Sequence, residues 1–150
     1  MVVAVESAYF VVGGVGVSRC LGPLRRLLML SDKQRRTALK KNIAHARDMA
    51  RRLRADGVEE ITLTRYADEG SFCAMRLPEE GDDFEHRQRT NAELAKVMLA
   101  HGLDLEVQVL TAEEYFAWLG ARPHTYQTMQ EYPGGRHVSG DEAKALLGIG

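Results

Sequence analysis

The chain has 150 residues, a net charge of −1, 45% apolar and 27% charged side chains. A chain of this length buries roughly 70% of its unfolded surface and supports one ordinary hydrophobic core, which excludes a disordered chain or a metal-dependent miniprotein. Cys20 and Cys73 are its only cysteines; they cannot form a four-ligand zinc site or a CxxC pair, and the plain reading is a reducing, cytoplasmic compartment.

The small net charge conceals a split. Residues 1–54 hold twelve Lys/Arg against three acids, a balance of +9, and residues 55–150 hold eight against eighteen, a balance of −10. Such halves neutralise each other within one fold, attract separate partners, or attract a second copy. Arg outnumbers Lys fifteen to five, a bias of G+C-rich coding that points to a bacterial source.

Residues 1–30 open on an apolar run, Val2 to Val17, broken by Glu6 and Ser7 and ending in Gly13-Gly14-Val15-Gly16. It is shorter than the ~20 apolar residues of a membrane-spanning helix, and it lacks the basic flank and small-residue cleavage site of a secretory signal. Three readings stand: a strand added to the sheet, a membrane anchor with Arg19, Arg25 and Arg26 on the cytoplasmic side, or an extension outside a fold that begins at Met29. The glycine run is no phosphate loop, because Val17-Ser18-Arg19 follows where Gly-Lys-Ser/Thr is required.

From Ser31 the signals are clear. Ser31 and Gln34 form a capping box, the helix runs to about Ala55, and Gly57 stops it. Leu39, Ile43, Ala46, Ala50 and Leu53 make one narrow apolar stripe, surrounded by basic residues. Val58 to Tyr66 reads as a strand, Ala67 to Gly70 as a turn, and Ser71 to Leu77 as the return strand of a hairpin. Asp82 and Glu85 cap a helix from Asp83 to His101, with Phe84, Leu94, Val97 and Met98 inward and Gly102 as its stop. Leu103 to Val109 alternates as a strand. Thr111 and Glu114 form a third capping box before a short helix that carries Tyr115, Phe116 and Trp118 and ends at Gly120. Prolines and glycines interrupt residues 121–150, which read as a partly ordered tail.

The expectation is therefore an α+β fold with α-β-β-α-β-α order in residues 31–120. Its small three-stranded mixed sheet has helices packed on one face. The last strand pairs with the first, and the polar face carries Thr62, Thr64, Glu106 and Gln108.

No cofactor or metal site is expected. The five histidines lack ligand spacing, Cys73 reads as a packing residue, and the acids from Glu79 to Glu85 lack the rhythm of a calcium loop. The sequence leans away from an enzyme; an enzymatic alternative requires Cys73, a His and a carboxylate to converge at the sheet edge. The leading expectation is a non-enzymatic interaction or accessory module, meeting a protein partner or a second copy through its charge-split surface. The alternative is a nucleic-acid-binding accessory protein. Both use the basic helix, through Arg35, Arg36, Lys40, Lys41, Arg47, Arg51 and Arg52.

Overall fold

The computed structural model describes residues 2–4, 31–77 and 83–149. In chain order the elements are β1 (Val2–Ala4), α1 (Asp32–Ala55), β2 (Glu60–Tyr66), α2 (Glu69–Met75), α3 (Phe84–Ala100), β3 (Asp104–Leu110), α4 (Ala112–Leu119), α5 (Tyr126–Glu131), β4 (Arg136–Ser139) and α6 (Gly140–Leu147). The class is α+β with a small mixed sheet. The strand order is β1-β2-β3-β4, with β1, β2 and β3 parallel and β4 antiparallel to β3.

Two helix-to-strand turns set the frame. After α1, the Gly57 amide bonds the Arg54 carbonyl at 3.1 Å and the Val58 amide bonds Leu53 at 2.9 Å. After α3, Gly102 bonds Leu99 at 3.0 Å and Leu103 bonds Met98 at 3.1 Å. Both glycines sit at φ 82°, so each turn is a Schellman stop, with an apolar contact between the residue beyond the glycine and the last helical turn. Val58 and Leu103 are fully buried, and each delivers the chain into its strand, β2 two residues after Val58 and β3 one residue after Leu103. β2 and β3 then pair in register, Ile61 opposite Leu105 and Leu63 opposite Val107.

Because side chains alternate along a strand, those four residues share one face, joined by Val138 of β4 opposite Val107. Against this face pack Ala46 and Ala50 of α1, Leu94, Ala95 and Met98 of α3, and Ala143 and Leu147 of α6. The other face carries Thr62, Thr64, Glu106 and Gln108, as the alternation requires. Thr62 donates to Glu106 at 2.8 Å, and the Gln108 amide donates to the carbonyls of Tyr132 and Gly134 at 2.9 and 2.8 Å. A second cluster caps the C-terminal ends of β2 and β3: Tyr66, Phe72, Met75, Leu110, Tyr115, Leu119 and Tyr132.

Several expectations are corrected. The expected return strand, Ser71 to Leu77, is helical up to Met75: Asp68 is the N-cap of α2, accepting from the Ser71 amide at 2.6 Å, and a helical turn puts Phe72 and Met75 together on the buried side. The order from Ser31 is thus α-β-α-α-β-α-α-β-α, and the expected hairpin is absent. The last expected strand pairs with the first, as expected, but parallel to it, whereas the hairpin order required an antiparallel pair. Asp83, one residue beyond the expected Asp82, caps α3, and Thr111 makes no side-chain cap bond. The stretch expected as a tail supplies α5, β4 and α6, and Val138, Ala143, Leu147 and Ile149 belong to the main core. Of the opening segment, Val2–Ala4 forms the edge strand β1; residues 5–30, and the readings that rest on them, lie outside the described residues, as does the loop at 78–82.

Gly135 is where the backbone leaves least room. Its φ is 83°, and a Cβ there would stand 2.5 Å from the Val109 carbonyl oxygen, whereas a Cβ at Gly57 (φ 82°) would meet nothing within 4 Å. Gly57→Ala is expected to cost about 1 kcal/mol from backbone strain alone, and Gly135→Ala roughly 2 kcal/mol or more, with steric overlap added. Urea unfolding of both variants checks the ranking; equal losses would contradict the close approach.

Candidate interaction surface

Helix α1 is 24 residues long, about 36 Å at 1.5 Å per residue. Its start is fixed by both halves of the expected capping box: Gln34 accepts from the Ser31 amide at 2.8 Å and Ser31 accepts from the Gln34 amide at 3.2 Å. Asp32 in the first turn and Arg52 and Arg54 in the last suit the helix dipole. The buried positions are Ala38, Asn42, Ala46 and Ala50, a strict four-residue step. Ile43, Met49 and Leu53 flank them against the core, so the inward line is rotated slightly from the expected stripe, and Leu39 lies at its margin.

The helix presents the opposite half of its circumference to solvent. Arg36, Lys40, Lys41, Arg47, Arg51 and Arg52 are all exposed, so six of the seven basic residues singled out in the sequence lie on one open surface. Arg35 does not join them. It turns inward, is 18% exposed, and bonds Asp83 at 2.6 Å. Lys33 and Arg54, which the sequence reading left out, are exposed with the six. Helical projection at 100° per residue reveals them: Lys33, Arg36, Lys40, Arg47, Arg51 and Arg54 fall within one 60° sector, while Lys41 and Arg52 lie on the other flank. Arg51 pairs with Asp48 at 2.9 Å; Arg36, Lys40, Lys41, Arg47 and Arg52 make no ion pair among the described residues.

The Arg35–Asp83 pair holds the start of α1 to the start of α3. Asp83 is buried, which by itself raises its carboxyl pKa; the His86 amide at 2.8 Å and the Arg35 guanidinium outweigh burial and lower it. Among the described residues the acidic half does not cover the basic row. Asp56, Glu59 and Asp104 are exposed around the N-terminal edge of the sheet, and Glu85 and Glu93 pair with Arg89 and Lys96 on α3 itself.

Cys73 of the enzymatic alternative does not stand on a strand. Cys73 lies in α2 and is held in a disulfide, so it offers no thiolate. His124 spends both ring nitrogens, one on Tyr115 Oη at 2.9 Å and one on the Met75 carbonyl at 2.7 Å, which fastens the 121–132 stretch onto its own domain. Among the described residues, clefts of about 200 Å³ beside Arg65, Gln88 and Asn91 and about 320 Å³ beside Glu60, Asp104, Ser139 and Lys144 are present. Ser139 makes no hydrogen bond with Lys144 or with either carboxylate. Among the described residues no group of three or more His, Cys, Asp or Glu is placed to hold a metal ion, and no helix is long and apolar enough to cross a membrane.

No protein-family model matches the chain, and no curated protein or solved structure matches it either.

The Asp83 arrangement has a defined pH signature. Its folded pKa lies below 3.8, so the stabilisation is complete above the unfolded value of about 3.9 and is lost as pH falls through the folded value. Asp83→Asn is expected to lose about 1–2 kcal/mol at pH 7, through a weaker cap and a broken pair, and to lose less than wild type between pH 4 and 2. Urea midpoints at pH 7, 4 and 2 test this; parallel acid slopes for the two proteins would remove Asp83 as the source.

Proposed function

We propose that the chain is a non-enzymatic interaction module whose binding surface is the outer half of α1 and whose partner is an anionic macromolecule or the acidic half of a second copy. The observation that carries this reading is the row Lys33, Arg36, Lys40, Arg47, Arg51 and Arg54. It is exposed along the whole helix, and among the described residues only Asp48 pairs with it, through Arg51. Like charges so closely spaced repel one another, by a few tenths of a kcal/mol per i,i+4 pair. An anion laid along the row relieves that repulsion, which a solvated surface of mixed charge would not need.

The reading separates local from net charge. A protein of net charge −1 is expected to pass through a cation exchanger at pH 8, unless its positive charge is gathered on one accessible face. Wild type should be retained at about 20 mM salt and released within a few hundred millimolar, as the Debye length shrinks from over 20 Å to a few ångströms. Arg47→Glu/Arg51→Glu should flow through. Arg89→Glu, which alters an exposed α3 residue paired with Glu85, should elute close to wild type. Sedimentation velocity at low salt reports self-association in parallel. Wild type and the double variant eluting together would refute the proposal.

A further inference from the structure

Resting on that reading of α1, we propose that the outer face binds the sugar-phosphate backbone of duplex DNA without reading its sequence. Four features of the face select this partner. First, the six cations of the row follow one another at steps of 3, 4, 7, 4 and 3 residues, about 32 Å from end to end at 1.5 Å per residue, and duplex DNA offers a charge every ~1.7 Å of its axis. Four of the six are arginines, whose planar fork matches phosphate oxygens.

Second, the exposed arc contains no large apolar side chain. Between the two basic flanks lie Thr37, Ala44 and Asp48. Protein interfaces draw most of their energy from buried Trp, Tyr and Arg anchors in packed pockets; neither cleft described above is lined by α1, and this arc has no aromatic or large apolar anchor of its own. An interfacial membrane helix needs a free apolar face, and the apolar face of α1 is already spent on the core.

Third, single-stranded nucleic acids are held by aromatic side chains on which bases stack, and the arc carries none. Fourth, direct base readout uses Arg, Asn or Gln aimed at base edges. Here the middle of the arc is Thr37, Ala44 and Asp48, and Gln34 is occupied in the cap; the arginines stand on the flanks, where phosphates lie. A helix about 10–12 Å across fits the mouth of a B-form major groove about 12 Å wide, whereas the deep, narrow major groove of duplex RNA does not admit it.

The test is fluorescence anisotropy of the full chain with a fluorescein-labelled 20-base-pair DNA duplex from 25 to 200 mM NaCl. The comparison probes are a scrambled duplex, the single strand, duplex RNA and poly-L-glutamate. If four to six phosphates are neutralised, the log–log salt slope is about −3.6 to −5.4, and affinity falls roughly 100- to 2,000-fold between 50 and 200 mM. The scrambled duplex should bind within about threefold. Arg47→Glu/Arg51→Glu should weaken binding at least tenfold and flatten the slope by nearly two, at about 0.9 per lost contact. Lys40→Gln/Arg47→Gln, which only neutralises charge, should move both quantities in the same direction, and Arg89→Glu should move neither. Absence of duplex binding at 25 mM overturns the inference, as does a tighter hold on the single strand or on duplex RNA, or indifference to both α1 variants. If the cation exchanger still retains the protein through α1 while poly-L-glutamate is bound and DNA is not, the DNA inference fails and the broader reading of α1 survives. If neither is observed, both fail.

Discussion

The architecture depends on one close approach, that of α1 to α3 through a line of small side chains. Ala38, Ala46 and Ala50 are at most 4% exposed, and with Asn42 they form the buried line of the helix. Helix axes pack about 8–10 Å apart depending on the side chains at the contact, and small residues favour the closer spacings. Each alanine contributes little burial by itself, since one CH₂ is worth about 0.8 kcal/mol, so the contact stabilises through its length and through the larger residues at its margins, Ile43, Met49 and Leu53. An inward line this narrow leaves the rest of the helix circumference to be polar. That is why a 24-residue helix can be integral to the core and still expose eight basic side chains.

The ends of that contact are secured by different chemistry. At the start, Arg35 reaches across to Asp83, the N-cap of α3, so one carboxylate terminates a helix and anchors another helix to it. At the far end, the Gly57 turn converts α1 directly into β2, and the Gly102 turn does the same for α3 and β3. Two parallel strands thereby enter the sheet in register from two helices that touch. The layer is closed by β4 and α6, whose Val138, Ala143 and Leu147 complete the same apolar face. At the opposite end of the strands a separate aromatic group forms around Tyr115, whose ring meets those of Phe116, Trp118, His124 and Tyr132 at centroid distances of 5.1 to 6.1 Å. These edge-on and tilted contacts join α4 to the residues flanking α5, away from the main core, and His124 ties the group to α2 through the Met75 carbonyl.

What the sequence discloses divides along the range of the interactions. The capping box at Ser31, the glycine stops at Gly57 and Gly102 and the strand alternation of 104–110 are each set by neighbours within four residues, and each is legible. The stretch 71–77 is not: Cys73, Met75 and Leu77 alternate as a strand would, and Phe72 and Met75 are spaced as a helical turn would have them. A seven-residue apolar segment satisfies both periods. The Asp68 cap and the Tyr66 ring, packed edge-on to Phe72 at 5.3 Å, decide in favour of the helix. The same limit applies to 121–149, where Pro123, Pro133, Gly135 and Gly140 mark junctions between short elements. Their order comes from distant partners: Gln108 holds the 132–134 carbonyls, and Val107 pairs with Val138. Among the basic residues, the projection that groups Lys33 and Arg54 with the exposed row is available from spacing alone, whereas the diversion of Arg35 to Asp83 is a contact across 48 positions that spacing does not disclose.

The separation of charge follows from this construction. Had all the described acids of residues 55–150 paired with α1 as Asp83 does, the two halves would cancel at short range, and a net charge of −1 would describe every surface of the molecule. Instead α3 neutralises itself through Arg89–Glu85 and Lys96–Glu93, while Asp56, Glu59 and Asp104 collect where the strands begin. The positive field is therefore generated by one rigid element. Its potential reaches only about 8–10 Å at physiological ionic strength, so it acts on groups that touch or nearly touch the helix and leaves the protein's long-range field close to neutral. A surface of that kind selects by local charge density: it discriminates poorly among dilute anions and strongly in favour of a stiff, densely charged chain that engages several side chains at once.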